Sequence, residues 1–267
     1  MFEAIILGAI QGLTEFLPVS SSGHLVLIPY IFNWHYNGLS FDVALHAGTA
    51  IALLLFFWRD WVLIIKNSFT KSSTREILNS KYPKNFLWQI AVASIPAMIV
   101  GLTIDKYVEN NFHFILLIAI NLALFGWLLW FVDKKSKSDL SLETITFKKS
   151  FIIGLFQAFA LIPGVSRSGI TITASRLVGL SREPAARFSF LLATPAIVGA
   201  FLLKVPDILE AGFTLNFFLG VATATIFGLA AIKFLLVYLK KSDFSLFMWY
   251  RLILAVAVVV IFLLKYA

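Results

Sequence analysis

Gly8-Ala-Ile-Gln11-Gly-Leu-Thr-Glu15-Phe-Leu-Pro18-Val-Ser20-Ser21-Ser22-Gly23-His24 lies near the start of the chain, and Gly154-Leu-Phe-Gln157-Ala-Phe-Ala-Leu-Ile-Pro163-Gly164-Val-Ser166-Arg167-Ser168-Gly169 repeats its frame 146 residues later. Both copies read Gly-x-x-Gln, then a proline, then Ser-x-Ser-Gly, with identical intervals from Gly to Gln and from Gln to the first Ser. A pattern that recurs at fixed spacing marks an internal duplication. Only the first copy holds Glu15 and His24, and only the second holds Arg167. One scaffold used twice, with different reactive groups in each half, points to a single composite site.

Working outward, six uncharged runs surround these copies: 43–58, 86–104, 110–132, 188–203, 211–232 and 252–264. Most approach the roughly 17–25 residues that carry a helix across a bilayer, the shortest with help from flanking residues. The 267 residues are 60% hydrophobic and only 13% charged. A soluble domain holds about 25% charge, so this chain has too little to cover a globular surface. The reading is a single all-α polytopic membrane domain with six transmembrane helices. A net charge of +8 raises nucleic acid as a partner, but the basic residues sit in loops between spans, where membrane topology accounts for them. The absence of cysteine excludes disulfides, thiol catalysis and cysteine metal sites. The Met-Phe-Glu start has no basic residue and no cleavage site comes after it, so no cleaved signal peptide is expected.

Loop charge sets the orientation. Six Lys/Arg fall in 59–84, five in 133–149, and four in 233–251 (Lys233, Lys240, Lys241 and Arg251). Segments 105–111 and 204–210 carry one Lys against two acids each. The first three loops are therefore expected in the cytoplasm and the last two outside, with both termini outside. Corresponding spans then run antiparallel, giving an inverted-topology repeat of about 1–135 and 147–267. The repeated motifs, about 1–40 and 147–185, must each begin and end on one side. Broken by Pro, Gly and Ser, they read as two re-entrant helix–loop–helix hairpins whose tips meet near the midplane, since irregular backbone at that depth survives only inside protein or beside water. Arg176, Arg182 and Arg187 agree with a cytoplasmic side for the second hairpin.

Gly8, Gln11 and Glu15 share one helical face. An ionisable group at membrane depth is costly and is by default a functional candidate with a partner, whereas Gln11 alone could serve as interhelical glue. Ser20, Ser21, Ser22 and Gly23 form a polar nest at a serine-capped helix start, whose amides and dipole suit phosphate. His24 is the candidate general acid or base; His35, His46 and His113 lack such company and stay unassigned. In the second copy Arg167 stands where Ser21 stands in the first, and its planar fork suits phosphate oxygens. Ser166, Ser168 and Thr171 add donors, and Gly164 lets the backbone close on a ligand.

The run from Gln11 to His24 and the run from Pro163 to Gly169 resemble the two signatures of the undecaprenyl-diphosphate phosphatase family, the BacA or bacitracin-resistance type. The resemblance covers the whole chain in length and span pattern. It implies hydrolysis of the C55 isoprenoid diphosphate to the monophosphate, which recycles the lipid carrier for cell-wall synthesis in the bacterial cell membrane. It also implies a divalent cation and a site open to the outer face. The family takes Glu or Gln at the first position of its acidic motif, and here that position is Gln11, an uncharged ligand.

Elementary chemistry agrees with that resemblance. A diphosphate needs positive charge on its oxygens, a nucleophile and a proton donor for its leaving group. Arg167, the nests and a Mg²⁺ or Ca²⁺ held by Glu15 and Gln11 would supply the first. Ser21, activated by Glu15 or His24, is the candidate nucleophile, and direct attack by water is its rival. The partners expected are a polyprenyl diphosphate and membrane lipids, and oligomeric state stays open. A lipid carrier or flippase is the competing class, because inverted repeats with broken helices are a transporter design. A carrier, however, has little need for Ser, His, Glu and Arg in one pocket.

Overall fold

The computed structural model describes residues 1–34, 39–69, 81–111, 115–137 and 139–266. His35 and His113, and Lys71 and Arg75 of the first basic loop, lie outside the described residues. Ten α-helices occur among the described residues, with no strand beyond a single bridge between Leu140 and Leu180. They are α1 (Phe2–Phe16), α2 (Ser21–Phe32), α3 (Leu39–Phe69), α4 (Phe86–Asn111), α5 (Ile115–Lys135), α6 (Phe147–Ala158), α7 (Arg167–Leu177), α8 (Arg182–Ala211), α9 (Leu215–Tyr238) and α10 (Ser245–Tyr266).

Six of these, α3, α4, α5, α8, α9 and α10, are long and apolar enough to cross a membrane, matching the six expected spans in order. The last one differs in extent. The uncharged run begins at 252, yet the apolar helix begins at Ser245 and carries Arg251 within it. Arg251 is fully buried and hydrogen-bonded to main-chain carbonyls, so it is not the loop charge its sequence position implies. Arg176 is likewise buried, paired with Asp133 at 2.9 Å, and Arg187 pairs with Glu183 and Asp60. These arginines hold elements together in addition to any part in topology.

Both repeated motifs break in the same way. A residue before proline is pushed out of the helical region by the proline ring. Leu17, before Pro18, is extended (φ −68, ψ 142) and ends α1, and Ile162, before Pro163, is extended too (φ −83, ψ 121). Ser20 and Ser166 then each take φ 74 and cap the next helix, accepting the amides of Gly23 at 3.3 Å and Gly169 at 3.1 Å.

Small residues let each motif's first helix lie close on a helix of the other half. Gly8 meets Gly220, and Gly12 meets Ala224 and Gly228, so α1 runs parallel to α9. A Cβ on Gly12 would lie 2.5 Å from the Ala224 oxygen, closer than any side chain tolerates. In the other half α6 runs parallel to α4: the Gln89 amide donates to the Ile145 carbonyl at 3.0 Å, and Gly154 packs on Ala93.

Ion pairs gather the basic loops at one end of the bundle. Asp60 near the end of α3 meets Arg187 in α8 and Lys81, Asp133 at the end of α5 meets Arg182, and Lys134 meets Asp243 after α9 at 2.6 Å. Burial would push the Asp243 carboxyl up, but hydrogen bonds from Lys134 and the Ser245 amide hold it at about 2, so the carboxylate stays charged at ordinary pH. At the opposite end Lys265, near the end of α10, donates to Asn33 at the end of α2 at 2.9 Å.

Candidate active site

Glu15 lies in the last turn of α1, buried, with both carboxylate oxygens engaged. Gln11, one turn earlier on the same face, donates its amide to Oε2 at 3.0 Å. Because the Pro18 turn folds the start of α2 back over α1, the Ser21 hydroxyl reaches the same oxygen at 2.5 Å. Oε1 accepts from Arg167 Nη2, and Arg167 Nη1 donates to the Ala193 carbonyl at 3.2 Å. Residues 15 and 167 thus pair across the duplication, with side-chain exposures of only 5% and 17%. Removing one partner of such a pair strands the other and costs about 3–5 kcal/mol.

The two turns also touch directly, through the Ser168 hydroxyl donating to the Leu17 carbonyl at 3.0 Å. Within each turn the cap serine sits beside the serine two residues on, Ser20 with Ser22 at 3.4 Å and Ser166 with Ser168 at 3.2 Å. Gly164 takes φ 89, and a Cβ there would come 2.7 Å from the Ile118 oxygen. Asn121 fixes the same corner by donating to the Pro163 carbonyl at 2.8 Å. Thr171 spends its hydroxyl inside the fold, on the Arg167 carbonyl at 2.7 Å and on Ser189 at 2.6 Å. The Ser189 bond ties the first turn of α7 to α8.

His24 faces a direction that sequence spacing did not show. Nδ1 lies 2.7 Å from the Ser20 carbonyl, which can only accept, so Nδ1 carries the hydrogen. Nε2 lies 2.7 Å from the Tyr250 hydroxyl on α10, from which it accepts when the ring is neutral, and the two rings stack. Among the described hydrogen bonds none joins His24 to Glu15, Ser21 or Arg167.

His46, left unassigned by the sequence, does reach the cluster: its Nε2 lies 3.7 Å from Glu15 Oε2, and its Nδ1 bonds the Asp42 carbonyl at 2.8 Å. The one signal for it was a histidine beside Gly48 and Thr49 at the start of an apolar span. Tyr250 and Arg251 were missed as well, because an aromatic and a basic residue before an apolar run read as a membrane boundary.

No group of three or more His, Asp or Glu that could hold a metal occurs among the described residues. The oxygens on offer are the Glu15 carboxylate and Gln11 Oε1, which is buried without a hydrogen-bond partner. A hard cation is often held by one or two protein oxygens, completing its shell with water and substrate phosphate. A Mg²⁺ or Ca²⁺ here would draw on those oxygens, with Ser21, Gln11 and Arg167 already bonded to the carboxylate.

A family model described as bacitracin resistance protein BacA matches residues 4–257. The undecaprenyl-diphosphatase of Pelotomaculum thermopropionicum is 46% identical over 261 residues, spanning 98% of this chain and 96% of its own. Those of Moorella thermoacetica, at 44% over 99% of both chains, and Desulforudis audaxviator, at 43% over 99% and 98%, are similar.

Proposed function

The chain belongs to the BacA bacitracin-resistance family, and from that premise we propose that it is a multi-pass membrane phosphatase that hydrolyses undecaprenyl diphosphate to undecaprenyl phosphate and phosphate. That reaction recycles the lipid carrier for peptidoglycan synthesis and underlies resistance to bacitracin. The observation that carries the chemistry is the Ser21 hydroxyl on Glu15 Oε2, with Arg167 on Oε1.

In the reaction Glu15 takes the Ser21 proton as Oγ attacks the terminal phosphorus. The bond from that phosphorus to the bridging oxygen breaks, and the bridging oxygen leaves with the lipid monophosphate. His24, entering the step as the imidazolium, supplies that oxygen's proton from Nε2 and is left neutral. Water then attacks the phosphoserine, giving a proton to His24, while Glu15 returns its proton to the leaving Ser21 oxygen; phosphate is released and each group is restored. Arg167 shifts one edge of its fork from Glu15 and Ala193 to the phosphate oxygens, where charge-assisted bonds are strongest. Ser20, Ser22, Ser166, Ser168 and Gly164 shape the two helix starts, whose first amides have no partner within their own helix and so suit phosphate. A divalent cation held by Glu15 and Gln11 would neutralise charge on the diphosphate.

The same reading takes the motifs as re-entrant hairpins in an inverted repeat. Support comes from the equivalent pairs α1 with α9 and α6 with α4, and from the hairpin ends: Asn33 with Lys265 at one end of the bundle, Arg176 with Asp133 at the other. With the three basic loops in the cytoplasm, the site opens to the outer face. A cysteine at exposed Phe213 would then react with an impermeant reagent added outside; reaction only from the inner face would reverse the orientation. The activity itself is tested by phosphate release from the purified protein in detergent with undecaprenyl diphosphate. Movement of the lipid in vesicles without phosphate release would refute hydrolysis and favour a carrier.

A further inference from the structure

We propose that Arg251 and Tyr250, neighbours on α10, are positioning residues: Arg251 clamps the two reactive turns together, and Tyr250 fixes the His24 ring. The proposal deepens the phosphatase reading and rests on it. Arg251 Nη1 donates to the Pro18 carbonyl of the first turn at 3.3 Å, and Nη2 reaches the Gly164 and Val165 carbonyls of the second at 2.8 and 3.1 Å. Its remaining bonds, from Nε to Leu122 at 3.0 Å and from Nη2 to Asn121 at 3.2 Å, anchor the guanidinium to α5.

One planar group therefore reaches both turns and a third helix. Among the described residues no carboxylate pairs with it, so its charge is met only by carbonyl dipoles. A buried arginine in that state is costly at membrane depth, and such a residue is a functional candidate. The fold also leaves room for it: a Cβ on Gly126 would lie 3.1 Å from the Arg251 Cβ, and one on Gly169 would lie 3.1 Å from Nη1. A lysine ammonium is a point donor and cannot bridge carbonyls set apart on two turns. Tyr250 acts one residue earlier, its hydroxyl 2.7 Å from His24 Nε2 and its ring 5.7 Å from the imidazole and nearly parallel to it. With Ser20 on the other nitrogen, the imidazole has one orientation before any substrate arrives.

The test separates positioning from folding and from the activity itself. Tyr250 is 44% exposed, so Tyr250→Phe removes one hydroxyl without unsettling the bundle; kcat should fall about 5- to 10-fold with KM unchanged, as for one lost hydrogen bond. An unchanged kcat, or a raised KM alone, overturns the role of Tyr250. Arg251→Lys should lower kcat about 100-fold, and ethylguanidinium should restore part of the rate to Arg251→Gly. The chain has no cysteine, so nitroxides on Phe32→Cys of α2 and Leu177→Cys of α7, both exposed, report the distance between the hairpins without turnover. Arg251→Lys should broaden that distance distribution, and this readout decides the matter if Arg251→Gly does not fold. An unchanged distribution overturns the clamp. Wild-type phosphate release is measured alongside: its absence counts against the hydrolase and leaves the clamp to the distances, whereas normal turnover with an unaffected Arg251→Lys sinks the clamp alone.

Discussion

The turns at 17–24 and 162–170 share an extended residue before proline, a serine at φ 74 and a cap onto a glycine amide, and the second holds one extra residue, with Gly164 at φ 89. Of the positions 146 residues apart that differ, three change a reactive group. Glu15 corresponds to Leu161, Ser21 to Arg167, and His24 to Ile170. The paired glutamines register that divergence. Gln11 donates to Glu15, whereas Gln157, with no carboxylate four residues on, is buried with neither amide atom hydrogen-bonded. In the proposed mechanism, duplication supplied two phosphate-suited helix starts, and divergence placed base and nucleophile on one and the cation on the other. The ion pair between residues 15 and 167 joins them.

If the halves have divided the chemistry in this way, equivalent substitutions should have unequal effects. Glu15→Gln should lower turnover most, by about 10³-fold or more, since it removes the base at the nucleophile; phosphate release at saturating lipid reads this, and near-normal turnover would take Glu15 out of the chemistry. His24→Ala should cost about 10²–10³-fold in kcat. Its counterpart Ile170→Ala leaves kcat within a few-fold and instead lowers the melting temperature, by cavity formation of about 2–5 kcal/mol. Matching losses in kcat at both positions would break the comparison.

Arg167→Lys keeps the charge but not the fork, and should slow turnover about 10- to 100-fold, the cost of about 1.5–3 kcal/mol for a charge-assisted bond. The smallest effect falls where the turns are alike. Ser20→Ala and Ser166→Ala should each lose a cap of about 0.5–2 kcal/mol, by similar amounts in thermal unfolding. A clear inequality would mean that the two turns are not equivalent scaffolds.

Much of this architecture could be read from the sequence, because bilayer thickness and the cost of buried charge restrict what an apolar run can be. Run length and the two prolines give the six spans and both helix breaks. The pairing of residues 15 and 167 was legible only in outline, since the repeat implied a composite site without giving its contacts. The direction of His24 was not legible, because its partner Tyr250 is 226 residues away. Arg251 was misread for a related reason: charge at the edge of an apolar run signals a loop unless tertiary carbonyls surround it, and those carbonyls come from three distant segments.

In the proposed mechanism Ser21, deprotonated by Glu15, attacks the diphosphate held by Arg167 from the other half. Phosphate release by purified, folded Ser21→Ala tests it most directly. Turnover should fall about 10³-fold or more below wild type with lipid binding intact. If Ser21→Ala retains more than roughly a few per cent of the rate, water rather than Ser21 is the nucleophile.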